Sequence, residues 1–133
     1  ELINEKKIEP KPYLDEDITF HDPCYLGRHN GEYDAPRKVL QSVLKEGRIK
    51  EMEQSKSDSF CCGAGGGNMW YEIKTGERIN QNRVKQAVGT EAKTIAAACN
   101  FCNIMLEDGV KTTGNEENVK VMDIAEMVSK GLD

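Results

Sequence analysis

Apolar residues in this chain are gathered into short periodic groups separated by Gly, Pro and charged residues, and the period of each group predicts its element. Residues 18–20 form a β-like run. Val39, Leu40, Val43 and Leu44 then fall at helical spacing, with Pro36 suited to that helix's first turn and Gly47 to its end. A second strand is expected within 49–53, with 59–60 as the competing position. Residues 68–88 have helical composition interrupted near Thr75 and Gly76, which predicts two helices or one kinked helix closed by Gly89. A small apolar run at 94–98 predicts a third, buried strand, and Phe101, Ile104 and Met105 a following helix that stops at Gly109. Val119 and Val121 alternate as a last strand. Asp123 with Glu126 has the spacing of a capping box, opening a helix through Ile124, Ala125 and Val128 that ends at Gly131.

Strands alternating with helices of this length require parallel pairing through crossovers. The expected fold class is therefore α/β, a small, mostly parallel sheet flanked by helices. Residues 1–16 are charged and carry Pro10 and Pro12, so they read as a linker or irregular lead-in, and 17–133 as one cysteine-rich domain. At 133 residues the chain suffices for a single core.

Composition narrows the function classes. Hydrophobic residues make up 38% and charged residues 31%, which favours a folded chain over disorder. The formal net charge of −5 leaves no basic stripe to replace phosphate counterions, so nucleic acid is not an expected partner. No apolar run approaches the roughly 20 residues that span a bilayer, and no signal peptide is legible at Glu1. The chain is expected to be a soluble piece of a longer, cytoplasmic protein, with any membrane attachment made by segments outside it.

Five cysteines, Cys24, Cys61, Cys62, Cys99 and Cys102, are an odd number in a chain without an export signal, which favours metal or redox chemistry over a disulfide framework. Each group follows a predicted strand: Cys24 the first, Cys61 and Cys62 the second, Cys99 and Cys102 the third. The C-terminal ends of parallel strands share one edge, the edge at which α/β proteins bind ligands, so all five are expected to converge there. Cys99 and Cys102 share one face if a helix starts near Asn100, where the helix N-terminus would favour thiolates. A thioredoxin-like dithiol would use that pair alone and has no need of three further cysteines.

Adjacent Cys61 and Cys62 would point to opposite faces of a strand, so a shared site requires a turn. Residues 61–67, CCGAGGG, allow one, and the N–H groups around Gly63 and Gly65 could aim at anionic sulfur; without the cysteines the same run would read as a flexible surface loop. It lacks GxGxxG spacing after a confident strand and no GK[ST] follows, which excludes a nucleotide fingerprint. His21 and Arg28 flank Cys24. His21 could carry protons or bond a cofactor and Arg28 could hold an anion, although capping and surface solvation explain both equally. Met69 and Trp70 are expected to pack as core or interface side chains.

The pattern of Cys24, 36 residues, Cys61-Cys62-Gly63, 35 residues, Cys99-x-x-Cys102 resembles the cysteine-rich CCG domain of the heterodisulfide reductase-like iron–sulfur oxidoreductase family. HDPC at 21–24, LGR at 26–28, CCGAGGGNMW at 61–70, GERIN at 76–80 and ACNFC at 98–102 carry the resemblance over most of the chain. It implies an electron-transfer domain of an oxidoreductase that reduces a disulfide or a quinone, with ferredoxin-like or flavoprotein partners. It also implies a [4Fe–4S] cluster in a non-cubane arrangement with Cys24, Cys61, Cys62, Cys99 and Cys102 as ligands; an ordinary cubane takes four thiolates. Some domains of this kind hold zinc instead, so a zinc-stabilised interaction module without redox role is the alternative.

Overall fold

Strand alternation decides which layer each side chain of the sheet meets. The computed structural model describes residues 1–71 and 76–133; of the interruption expected near Thr75 and Gly76, Thr75 lies outside the described residues, whereas Gly76, at φ +75°, is non-helical and the next helix begins only at Ile79. Strands β1 (Ile18–His21), β2 (Thr94–Ala97) and β3 (Lys120–Asp123) pair in that order. Both pairs are parallel, in a register that ends His21, Ala97 and Asp123 side by side. Ile18, Phe20, Ala96 and Met122 point to one face, where Leu40 of helix α1 (Asp34–Gln41) and Met127 and Val128 of helix α4 (Ile124–Leu132) cover them. Ile95, Ala97 and Val121 point to the other, against Val84 and Ala87 of helix α2 (Ile79–Gly89) and Leu106 and Val110 of helix α3 (Asn100–Thr112). The class is the one the sequence implies, a small parallel sheet between helical layers.

The strand expected at 49–53 is absent. Ile49 meets β1 in a single parallel bridge to Ile18, with the Lys50 N–H donating to the Ile18 carbonyl at 2.7 Å. Beyond it the chain leaves the sheet. Ile49 packs in the layer of α1 and α4 and Met52 in the layer of α2 and α3, so the segment crosses from one face to the other around the β1 edge, a path no regular strand can take.

Two glycines serve close packing and do not stop helices. A Cβ at Gly109 would lie 2.7 Å from Val84 Cγ2 and 2.9 Å from the Asn80 carbonyl oxygen, so the glycine sets the approach of α3 to α2 while α3 continues to Thr112. Gly131 lies within α4, where a Cβ would meet the Lys11 carbonyl at 3.0 Å. Helix α1 ends at Gln41, short of Gly47, and Val43 stays fully buried just beyond it. Asp123 caps α4, its Oδ1 accepting from the Ala125 N–H at 2.8 Å. The lead-in is anchored too: the Lys11 N–H donates to the Gly131 carbonyl at 2.7 Å and the Tyr13 hydroxyl to the Met127 carbonyl at 3.0 Å.

Candidate metal centre

Because the three strands end in register, the segments that leave β1 and β2 start from the same edge. Cys24 comes three positions after His21 and opens a single π-helical turn, Tyr25–His29. Cys99 is the N-cap of α3 and makes no side-chain capping bond, and Cys102 sits in that helix's first turn. Cys61 and Cys62 arrive on an irregular segment and not, as the sequence predicts, after a strand. Side chains hold that segment in place of a ladder: the Ser59 hydroxyl donates to the Asp22 carbonyl at 3.0 Å, and the Lys56 N–H to Asp22 Oδ2 at 2.7 Å.

Cys62 and Cys102 are buried, and their sulfurs lie with a ring nitrogen of His21 so that all three atoms are within 4.8 Å of one another. Cys24, Cys61 and Cys99 are half-buried. Gly63 has φ +93°, a left-handed conformation that favours glycine, and its N–H donates to Cys61 Sγ at 3.2 Å. The Cys61 thiol is pushed up in pKa by its hydrogen bond to Cys62 and by burial, against the pull of the Gly63 and Gly65 N–H groups. Cys62 is pushed up to about 11, first by its hydrogen bond to Cys102 and then by burial. Arg28 is exposed on the π-helical turn and adds positive potential at His21. Met69 packs against the core and Trp70 stands exposed.

His21 belongs to the α2/α3 side by strand alternation, one residue after Phe20 on the other. There Arg83 Nε donates to His21 Nδ1 at 2.9 Å. Arg83 is fully buried, and its Nη1 donates to the Gln54 carbonyl at 2.8 Å and Gln86 Oε1 at 2.7 Å, its Nη2 to the Ser59 hydroxyl at 3.1 Å. Burial lowers the Arg83 pKa only to about 10, so the guanidinium keeps its charge at neutral pH. Sequence reading does not single this residue out. The available signal is that Asn80, Arg83, Val84 and Ala87 form the buried stripe of α2 at helical spacing, with two polar members where a core face should be apolar.

Burial, followed by the charge of Arg83, lowers the pKa of His21 from 6.5 to about 3, so the folded protein holds the ring neutral. Between those values the unfolded chain binds a proton that the folded one does not. The His21 contribution is complete above pH 6.5 and is lost as pH falls toward about 3. Lowering the pH of the metal-free protein to about 5 is expected to cost about 2 kcal/mol at this site. Urea unfolding at pH 7.5 and 5 checks this: His21→Gln should show a much smaller loss than the parent, and equal losses would contradict it.

Five soft sulfur donors, two of them buried and in mutual reach, suit an iron–sulfur centre or zinc far better than a hard oxygen-liganded cation. Parallel strand ends, a glycine turn with N–H groups on sulfur and a CxxC at a helix start define a cysteine-rich α/β domain with a soft-donor site. The sequence matches the Cysteine-rich domain family, CCG, over residues 18–107, and the chain belongs to that family. It is 43% identical over 99% of its length to the "Probable iron-sulfur-binding oxidoreductase FadF" of Bacillus subtilis, and 43% identical over 99% to the EtfAB:quinone oxidoreductase of Syntrophomonas wolfei. A Dihydromethanophenazine:CoB--CoM heterodisulfide reductase component of Methanosarcina barkeri is 39% identical over 99% of this chain. The chain spans 19% of the first two relatives and 32% of the third. No solved structure matches.

Proposed function

We propose that this chain is an iron–sulfur electron-transfer domain that holds a [4Fe–4S] cluster on Cys24, Cys61, Cys62, Cys99 and Cys102 in a non-cubane, five-thiolate arrangement. The carrying observation is the meeting of Cys62 and Cys102, buried and 40 positions apart, with Cys61 accepting from the Gly63 N–H. The bound cluster would supply one-electron chemistry. The chain's own residues exclude water from part of the site, keep His21 neutral and aim backbone N–H groups at sulfur.

The iron–sulfur oxidoreductase relatives support the same reading, as does the CCG pattern. In the parent protein the domain passes electrons between flavoprotein or ferredoxin-like partners and a disulfide or quinone acceptor. Exposed Tyr25 and Phe101, each adjacent in sequence to a cysteine segment, offer apolar contact to such a partner. No helix among the described residues is long and apolar enough to cross a membrane, so attachment to the inner face is assigned to segments outside the chain.

Protein prepared without oxygen or reconstituted should carry about four irons with matching sulfide per chain and an EPR signal in one redox state. Stoichiometric zinc with no iron uptake would replace this reading with the zinc-stabilised interaction module.

A further inference from the structure

Arg83 is a buried cation whose hydrogen-bond partners, His21, Gln54, Gln86 and Ser59, are all neutral. Among the described residues it makes no salt bridge, whereas the other buried arginine, Arg37, is held by Asp22 and Glu51. A buried charge without a counter-ion is costly, and natural structures seldom keep one unless an anion completes it. The strongest charge acting on it is the Asp22 carboxylate, which makes its own hydrogen bonds to Arg37; the thiols of Cys102, Cys62 and Cys61 come next, and they are the groups that become anionic when a metal is bound.

The same guanidinium fixes the chemistry of His21. With Nδ1 accepting the Arg83 N–H, the neutral ring carries its proton on Nε2. Neither nitrogen then has a free lone pair. The trio of His21, Cys62 and Cys102 has the spacing of a metal site, yet its histidine is not available as a ligand.

We propose that Arg83 is the built-in countercharge of the thiolate site and that, through its bond to Nδ1, it makes His21 a hydrogen-bond donor at that site and excludes it from the ligand set. The inference rests on the thiolate reading of the site, and both residues act as positioning residues. A fixed positive charge favours the more negative, reduced state of a neighbouring cluster, so it raises the reduction potential.

Two measurements test this. Long-range 1H–15N correlation NMR on the unaltered, metal-free protein should find His21 as the Nε2–H tautomer with an accepting Nδ1; an Nδ1–H tautomer overturns the proposal. EPR-monitored redox titration of the iron-loaded protein should place the Arg83→Gln midpoint below the parent's by at least about tenfold in the reduction equilibrium, about 59 mV for one electron. Arg83→Lys should recover most of the shift, because it restores charge, and equal midpoints for the parent and Arg83→Gln overturn the proposal. Should Arg83→Gln fail to fold, the tautomer in the parent still decides. Absence of iron uptake by the parent counts against the proposed function, and the NMR result on the metal-free protein is read independently of it.

Discussion

Each of the five single Cys→Ser variants is expected to lose iron or alter the EPR signal on anaerobic reconstitution, with Cys62→Ser and Cys102→Ser losing most. A serine hydroxyl is a harder and weaker ligand for iron than a thiolate. Replacing even an outer-shell partner of a metal ligand costs about 10–100-fold in affinity, so loss of a direct donor should exceed about tenfold. Cys62 and Cys102 are 6% and 3% exposed, so water is poorly placed to fill the vacant position there. The informative comparison is Cys61→Ser against Cys62→Ser. The turn at Gly63 sets the Cys61 sulfur against a backbone N–H while the Cys62 sulfur lies within 4.8 Å of that of Cys102, and the five-thiolate proposal requires that both members of the pair serve one site. Iron content, visible absorption and the EPR spectrum of the series provide the measurement. If either of this pair is silent in all three, the five-thiolate arrangement is wrong and a four-thiolate cubane replaces it.

Asp22→Ala is expected to destabilise the metal-free protein by about 3 kcal/mol, the lower end of the range for breaking a buried ion pair. Asp22 accepts two hydrogen bonds from Arg37, at 2.8 and 2.7 Å, and a third from the Lys56 N–H at 2.7 Å. Arg37 also stands over the Phe20 ring, 5.3 Å from its centroid, with little room to swing toward water. Glu51 would remain as a partner at 2.7 Å, which is why the lower end applies. The consequence reaches the site, because the same aspartate ties β1 to the segment that delivers Cys61 and Cys62. Urea unfolding gives the stability, and a loss below about 1 kcal/mol would contradict the assignment. Iron retention should fall in the same variant even at temperatures where it stays folded.

Much of the site is legible in one dimension because its determinants are local. The CxxC beside a helix start, the glycines that let a chain turn after adjacent cysteines and the Asp123 cap each depend on residues a few positions apart. Strand period and the parallel alternation are local too, and they lead from the sequence to the α/β class and to the strand ends behind Cys24 and Cys99.

What only the tertiary structure decided is where polar groups are spent on distant partners. Arg83 and His21 meet across 62 positions, and although Arg83 shares a helix face with Val84 and Ala87, no local signal names its partner. The segment after Ile49 looks like a strand until Glu51 is drawn to Arg37, Gln54 to Arg83 and Met52 into the opposite layer, which together pull it off the sheet. Gly109 looks like a helix stop, yet it is the place where α2 and α3 come too close for a Cβ. The sequence by itself determined the class, three of the four expected strands and the cysteines that are the candidate donors, because propensity, period and capping act over a single turn or strand. The tertiary structure alone decided the path between elements and the charge and tautomer beside the thiols, because desolvation and hydrogen bonding act between whatever surfaces packing brings together.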